Sequence, residues 1–215
     1  MKNKMEIKDK TVIVLAPHTD DGEFGCGGTI NKLTEHGNNV YYAAFSACRH
    51  SVLKEFPSDI LVTEVKEATA VLGILPENLI LYEYDVRTFS YHRQPILDDL
   101  IKLRETIKPD VVFMPSGSDI HQDHQTIYTE AIRAFKNCSM LCYELPWNNF
   151  TFNTQSFVIL EESHLAKKIE ALSKYKSQQH RPYASAKFIN ALAHTRGVQI
   201  GAVYAETFEI QRWII

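Results

Sequence analysis

The sequence has little of what marks secreted, membrane-spanning or nucleic-acid-binding proteins. Its 215 residues include only four cysteines, which fit neither a disulfide framework nor the paired spacing of a zinc ribbon. No apolar run approaches the ~18 residues of a spanning helix, and the opening MKNKMEIKDK lacks the apolar centre of a secretory signal. A net charge of -3 gives no electrostatic reason to expect nucleic acid or a membrane as partner. We therefore expect a cytoplasmic protein with reduced, buried thiols.

The chain also lacks low-complexity stretches, internal repeats and linker-like segments. Hydrophobic residues make up 45% of it and charged residues 23%, which is the composition of an ordinary globular protein. A length of 215 residues is enough for one sizeable core. We expect residues 1–215 to form a single domain.

Segments typical of buried strands alternate with amphipathic helical patterns along most of the chain. The predicted strands cover residues 11–16, 39–47, 78–84 and 110–115, and the predicted helices cover 29–36, 58–72 and 95–107. This alternation predicts an α/β three-layer sandwich with a mostly parallel sheet. Residues 140–146 and 156–160 are predicted to add strands in the C-terminal third, antiparallel to the main sheet at its edge.

The first chemically informative stretch is TVIVLAPHTDDGEFGCGGTI, residues 11–30. Its apolar run ends at a proline and is followed by His18, Asp20, Asp21 and Glu23. Ligands of parallel α/β sheets bind beyond the carboxyl ends of the strands, and these side chains suit a divalent cation. We predict half of a metal site here. The glycines that follow do not match G-x-G-x-x-G, which disfavours a dinucleotide loop.

A second polar motif, His121-Gln-Asp-His124, follows the predicted strand 110–115 and begins a helix. Two histidines three residues apart lie on roughly one helix face. The topology could bring His124 against His18 and Asp21, making a three-ligand site with open positions, as in catalytic zinc sites. The alternative is that these histidines lie on the surface and the carboxylates cap helices.

Residues 17–30 resemble the signature of the PIG-L/LmbE-like zinc-dependent N-deacetylases, and residues 121–124 are similar to their second motif. Residues 64–74 (EVKEATAVLGI), 174–178 (KYKSQ) and 205–208 (AETF) resemble further segments of that family, so the resemblance runs along the whole chain. Such enzymes remove an acyl group, usually acetyl, from the amine of a glucosamine-type sugar on a Rossmann-like fold. The implied cofactor is Zn²⁺, with Fe²⁺ or another divalent metal as the alternative.

The resemblance implies a role for each residue of the two motifs. His18, Asp21 and His124 become the metal ligands, and Asp20 becomes the general base. His121 becomes the residue that polarises the carbonyl oxygen or protonates the leaving amine.

A carboxylate neighbour, Asp123 or Asp119, is expected to hold a proton on His121, which makes Asp123 a further catalytic candidate. Glu23 is expected to have a structural role at the turn. The chain departs from the family pattern at Thr19, where a proline is usual. It also has Asp119 where the mycothiol branch has a tyrosine, so oxyanion stabilisation by that tyrosine cannot be transferred. The pattern is more similar to the bacillithiol-type and other small bacterial members, a similarity that does not fix the substrate.

The later part of the chain carries the candidates for substrate binding. The predicted contacts are Arg49, Ser177, Gln178 and Arg181, with His194 and Arg196 as weaker candidates. Residues 147–153 (WNNFTFN) alternate aromatics with amides, which suits either a sugar ring or packing onto the core. Members of the family often form closed rings, so the sequence leaves open whether this protein is a homo-oligomer.

The sequence thus predicts a metal-dependent hydrolase that removes an N-acetyl group from an amino sugar, a sugar conjugate or a sugar nucleotide. Its expected partner is this small molecule, with neither nucleic acid nor membrane involved. Two alternatives stay open. One is another metal-dependent hydrolase, such as a deformylase or an esterase, and the other is a non-catalytic carbohydrate-binding protein.

Overall fold

The computed structural model of the protein describes residues 7–214. The prediction that the opening segment is no secretory signal concerns residues 1–10, and residues 1–6 lie outside the described part of the chain. The strands are β1 (Thr11–His18), β2 (Asn39–Ser46), β3 (Leu79–Leu81), β4 (Val111–Pro115), β5 (Ser139–Tyr143), β6 (Ser156–Leu160) and β7 (Tyr204–Arg212). The helices are α1 (Asp21–Glu35), α2 (Ile60–Val71), α3 (Arg93–Ile107), α4 (Gln122–Ala134), α5 (Glu162–Ser173) and α6 (Ala186–Val198).

The strands form one seven-stranded sheet in the order β3-β2-β1-β4-β5-β7-β6. The first five strands in chain order pair in parallel, which confirms the predicted α/β class and its mostly parallel sheet. The prediction that residues 140–146 run antiparallel is wrong, because β5 pairs in parallel with β4. Residues 156–160 do form a strand at the edge of the sheet, β6, and its pairing with β7 is antiparallel. Only β7 runs against the others: it follows α6 back into the sheet and inserts between β5 and β6.

The helix after β1 differs from its prediction. It begins at Asp21 rather than Thr29, so Asp21, Glu23 and the glycines belong to α1. The helix bends at Cys26, whose φ of -147° is not helical. The glycines serve close packing, since a Cβ on Gly25 would lie 2.3 Å from the ring of Tyr143.

Helices cover both faces of the sheet and bury two apolar clusters. One cluster packs the sheet against α1, α2, α5 and α6, and the other packs it against α3 and α4. Alternate residues of β1 point into the two clusters, as expected for a strand buried on both faces. Within residues 7–214 no helix combines the length and the apolar character that a bilayer crossing requires.

Candidate metal and catalytic site

The two polar motifs meet at the carboxyl ends of β1 and β4. These strands are adjacent and parallel, so the segments that follow them leave the sheet side by side. His18 is the last residue of β1, and Asp20 and Asp21 begin α1. His121 occupies the N-cap of α4, and His124 lies in its first turn. The fold therefore brings together the side chains that the sequence predicted to meet.

Three donor atoms form a compact triangle at this point. His18 Nδ1 lies 3.0 Å from Asp21 Oδ2, and His124 Nε2 lies 3.1 Å from the same oxygen. The two nitrogens are 3.2 Å apart. Ligands of one tetrahedral zinc, with bonds of about 2.0–2.2 Å, lie about 3.3 Å from each other. Two imidazoles and one carboxylate at these separations fit a divalent transition metal.

A third imidazole adjoins this triangle. Nitrogens of His18, His121 and His124 all lie within 4.8 Å of one another, so three histidines form a second conceivable ligand set. We favour the set with Asp21, because its donor atoms are closer together. His121 is also engaged elsewhere: its Nδ1 accepts a hydrogen bond from the backbone N–H of Asp123 at 3.2 Å.

Each histidine of the triangle has a buried carboxylate on its other ring nitrogen. Asp119 Oδ2 lies 2.7 Å from His124 Nδ1, and Asp123 Oδ2 lies 3.1 Å from His18 Nε2. Asp123 also accepts a 2.6 Å hydrogen bond from the backbone N–H of Arg87. Such carboxylates fix the tautomer and the orientation of metal-binding imidazoles.

The structure places Asp123 differently from its predicted role beside His121. Its carboxylate is turned towards His18 and comes no closer than 4.0 Å to His121 Nδ1. Asp119 in turn accepts from the backbone N–H of His121, not from its ring. Burial, together with the charges of His18 and His124, lowers the pKa of His121 to about 4. His121 is therefore neutral near pH 7, contrary to the expectation of a carboxylate-held proton.

Asp20 and Asp21 are neighbours in sequence with opposite electrostatic environments. Burial and the charge of Asp21 raise the pKa of Asp20 to about 6. Burial would also raise the pKa of Asp21. The charges of His124 and His18 and their hydrogen bonds outweigh this effect of burial and hold the pKa of Asp21 well below its usual range. Asp20 sits at the N-cap of α1 and yet makes no side-chain cap hydrogen bond, which argues against the helix-cap alternative. A carboxylate with such a pKa beside a metal-type donor set suits proton transfer.

Glu23 lies in a buried hydrogen-bonded cluster next to the turn that joins β1 to α1. Its carboxylate bonds with the hydroxyls of Tyr175, at 2.8 Å, and of Tyr42. Both hydroxyls also lie within 2.9 Å of the carbonyl oxygen of Thr19. Burial raises the pKa of Glu23 to about 8. These contacts hold the backbone between His18 and Asp20, in keeping with the structural role expected for Glu23.

Arg49 and Ser177, two predicted substrate contacts, are engaged within the protein. Arg49 makes a two-pronged ion pair with Glu83, at 2.8 and 3.0 Å, on the surface. Ser177 is buried, and its hydroxyl donates to Glu64 at 2.6 Å. Of the weaker candidates, Arg196 donates to Glu144 at 3.0 Å, and His194 contacts a backbone carbonyl.

Arg181 and Gln178 form a hydrogen-bonded pair. The Nε–H of Arg181 donates to Gln178 Oε1 at 2.7 Å, and the charge of Arg181 lowers the pKa of Asp20, against the larger effects of burial. Within residues 147–153, Trp147 stacks on Tyr183 with ring centroids 3.9 Å apart, whereas Phe150 is exposed. For Trp147 this favours the core-packing alternative.

Two residues that support the site were missed at the level of sequence. Glu64 is buried on the apolar face of α2, beside Val65 and Ala68, and an acidic residue on that face was a readable signal. Arg87 adopts a left-handed backbone with φ of 68°, which no local pattern reveals.

Comparisons with known proteins agree with this geometry. The profile of the family described as "PIG-L: GlcNAc-PI de-N-acetylase" matches residues 13–135, which include both motifs. A curated relative from Escherichia coli K12, "Uncharacterized deacetylase YaiS", is 29% identical over 179 residues, covering 79% of this chain and 92% of the relative.

Solved structures share the fold. The N,N'-diacetylchitobiose deacetylase of Pyrococcus horikoshii has a TM-score of 0.78 at 24% identity, covering 94% of this chain and 84% of its own. GalB, the 4-carboxy-2-hydroxymuconate hydratase of Pseudomonas putida KT2440, also has a TM-score of 0.78, at 18% identity, covering 96% and 98%. The fold alone therefore does not decide the reaction. The family profile spans both polar motifs and more than half of the chain, and the protein thus belongs to the PIG-L family of deacetylases.

Proposed function

We propose that the protein is a metal-dependent N-deacetylase that hydrolyses the acetamide of an amino sugar or an amino-sugar conjugate. The observation that carries this proposal is the triangle of His18 Nδ1, Asp21 Oδ2 and His124 Nε2, with sides of 3.0–3.2 Å, next in the chain to Asp20, whose carboxylate makes no helix-cap hydrogen bond. Family membership and the names of its relatives support the same bond type.

The proposed ligands are prepared for a cation by their surroundings. A divalent metal held by His18, Asp21 and His124, zinc or iron(II), would supply a Lewis acid that acidifies water and polarises a carbonyl group. Asp119 and Asp123 orient the two imidazoles so that one nitrogen of each faces Asp21.

Asp20 is the proposed proton carrier. Its pKa of about 6 leaves it deprotonated near pH 7, so it can accept a proton from the attacking water. As the C–N bond of the amide breaks, Asp20 returns that proton to the nitrogen. The products are then a free amine and acetic acid, which releases its proton to the solvent and leaves as acetate, and Asp20 ends as the carboxylate.

His121 is proposed to stabilise charge on the carbonyl oxygen. With Nδ1 occupied as an acceptor, the neutral ring carries its proton on Nε2 and donates from there. A neutral donor stabilises an oxyanion by hydrogen bonding. Of the two roles expected for His121, its low pKa favours carbonyl polarisation over protonation of the amine.

We further place the activity in the cytoplasm and in a single domain of residues 1–215. All four cysteines are free and buried, as is usual in a reducing compartment.

Metal content measured together with product analysis tests the function. The purified protein is assayed for bound metal and for free-amine release from N-acetylglucosamine derivatives, with and without a chelator. The expected result is about one metal per chain and chelator-sensitive release of acetate together with an amine. Formate or an alcohol as product would identify the other hydrolases. A protein that takes up neither zinc nor iron would overturn the proposal and favour the carbohydrate-binding alternative.

A further inference from the structure

We propose that Asn149 is a positioning residue for the site, because it joins two loops into one hydrogen-bonded unit that holds Asp119, the partner of His124. The two loops are residues 116–121, which follow β4, and residues 144–151, which follow β5. They are called the β4 loop and the β5 loop below. The inference rests on the proposed function, since it concerns the support of a proposed metal ligand.

Asp119 determines which ring nitrogen of His124 faces the proposed metal position. Asp119 is 1% exposed, and its Oδ2 accepts a hydrogen bond from His124 Nδ1 at 2.7 Å. With Nδ1 held there, Nε2 of the same ring faces Asp21 Oδ2 at 3.1 Å. A carboxylate on one imidazole nitrogen fixes the orientation of the other. The position of His124 Nε2 therefore depends on where the β4 loop places Asp119.

The β5 loop is bonded to Asp119 and to the residues on either side of it. Asp119 forms an isolated β-bridge with Asn149. The following residue, Ile120, donates its backbone N–H to the carbonyl of Asn148 at 3.1 Å. The preceding residue, Ser118, accepts at its hydroxyl from Asn149 Nδ2 at 3.2 Å. Three consecutive residues of the β4 loop are thus held by the β5 loop.

The side chain of Asn149 bonds in two directions. Its Oδ1 accepts from the backbone N–H of Leu145 at 2.8 Å, and its own backbone N–H donates to the carbonyl of Leu145 at 3.0 Å. Its Nδ2 donates to Ser118, whose hydroxyl donates in turn to the carbonyl of Thr151 at 2.5 Å. An amide supplies both the acceptor and the donor that these contacts need. Asn149 therefore connects the turn at the end of β5 to the β4 loop.

A second explanation is that Asn149 merely stabilises its own turn. The two explanations differ in what they predict. A turn-stabilising role would lower the free energy of unfolding and leave the metal affinity of the folded protein unchanged. A positioning role lowers the metal affinity of the folded protein, because His124 is less well oriented.

The test is a zinc titration of the chelated protein and its variants, at a temperature where circular dichroism shows all of them folded. Asn149→Ala should weaken zinc binding by about 10-fold, as loss of supporting contacts does at other sites. Ser118→Ala removes the other half of the contact and should have the same effect, which covers the case that Asn149→Ala does not fold. The double variant should lose no more than the larger single loss, because either change breaks the same connection.

A control and a second measurement complete the test. Gln155 is exposed between β5 and β6, and its Oε1 accepts from the backbone N–H of Ile210 at 2.7 Å. Gln155→Ala removes an amide that does not contact the β4 loop through this bond, and it should leave zinc affinity unchanged. In the metal-free protein, the Nδ1–H proton of His124 should exchange faster with water in Asn149→Ala than in the parent or in Gln155→Ala. Nuclear magnetic resonance measures this exchange, and His124→Gln assigns the signal.

Three outcomes would overturn the positioning role of Asn149. They are an unchanged zinc affinity in Asn149→Ala and Ser118→Ala, losses that add up in the double variant, and an equal loss in Gln155→Ala. If the parent protein binds no zinc, the proposed function fails instead. The exchange rate of the His124 proton then decides the positioning role by itself, since an unchanged rate in Asn149→Ala would show that the two loops do not hold His124.

Discussion

Asp20 and Asp21 have the same side chain one residue apart, and the structure separates their chemistry. Asp21 lies between two imidazoles, whose positive charge favours its ionised form. Burial and the negative charge of Asp21 both disfavour ionisation of Asp20 and raise its pKa. A pair of carboxylates whose pKa values are pushed apart is the usual sign of a ligand beside a base.

Replacing each aspartate by asparagine should separate these roles. Asp20→Asn should keep its metal, because no ligand is lost. Its kcat should fall by about 10²-fold to 10⁴-fold, because asparagine cannot carry the proton. Asp21→Asn should lose metal first, since a neutral amide is a poor substitute for the carboxylate ligand. Metal quantification beside steady-state kinetics checks both. A metal-free Asp20→Asn protein would show that the two assignments are reversed.

Arg87 shows how a backbone position can serve the site. Its left-handed conformation, with φ of 68°, is costly for a residue with a Cβ. In that conformation its N–H points at Asp123, which in turn holds His18. The strained backbone of Arg87 therefore helps to orient His18, a proposed metal ligand.

Substitutions at Arg87 should follow backbone preference, not side-chain chemistry. Arg87→Gly should keep metal affinity and raise the free energy of unfolding by up to about 1 kcal/mol, because glycine adopts this conformation freely. Arg87→Val should displace the amide and weaken metal binding by about 10-fold to 100-fold, as loss of supporting contacts does at other sites. Metal titration of both variants decides the matter. Equal affinities for Gly and Val would mean that the backbone of Arg87 does not support His18.

At the scale of elements, the bend in α1 is held by a buried ion pair. Lys168 on α5 donates to the carbonyl of Phe24 at 2.6 Å and pairs with Glu206 on β7 at the same distance. Glu206 in turn accepts from the backbone N–H groups of Gly28 and Thr29, at 3.1 and 2.7 Å. These contacts satisfy backbone groups that the bend at Cys26 removes from the helix ladder.

Breaking this pair should destabilise the fold. Lys168→Met leaves Glu206 buried without its cation and should lower the free energy of unfolding by about 3–5 kcal/mol. The matched control is Lys167→Met, whose pair with Glu170 is exposed at the surface and contributes less than about 1 kcal/mol. Urea denaturation of the two variants makes the comparison. Equal losses would show that the pair does not hold the bend.

The same elements show what could be predicted from sequence. The sequence of β1 and of β4 is an apolar run followed directly by polar residues, and this change marks the end of a strand. Both polar motifs could therefore be placed at strand ends from the sequence. The start of α1 was misplaced, because GCGG is a weak helical sequence and only contacts from distant residues sustain it. The partner of Asp123 was missed for the same reason: His18 lies 105 residues away in the chain.

At the scale of the whole molecule, the core and the site are separate structures. The apolar clusters lie on the two faces of the sheet, whereas the proposed ligands lie at one end of it. Asp119 and Asp123 hold the imidazoles through hydrogen bonds that need no metal. The fold should therefore survive without the ion.

Removing the proposed metal should abolish the proposed activity and leave the protein folded. After dialysis against a chelator, the far-UV circular dichroism should be unchanged and thermal unfolding should remain cooperative. Its midpoint should fall, because a ligand present at 100 times its Kd stabilises the folded state by about 2.7 kcal/mol. Restoring zinc or iron(II) should restore both midpoint and activity. Loss of the dichroism signal would instead mark the metal as structural.

The metal-free protein should also show a pH dependence that the loaded protein lacks. Burial alone would lower the pKa of His124, but Asp21 and Asp119 outweigh it and raise that pKa to about 10. A proton held more tightly in the folded state stabilises it fully below the unfolded pKa of about 6.5, and this contribution is lost as the pH rises towards 10. Urea denaturation of the chelated protein should thus give a lower free energy of unfolding at about pH 9.5 than at about pH 6.5. His124→Gln should flatten this profile, because the titrating group is gone. An unchanged slope in the variant would assign the effect to other groups, and a flat profile in the parent would mean that His124 carries no such proton.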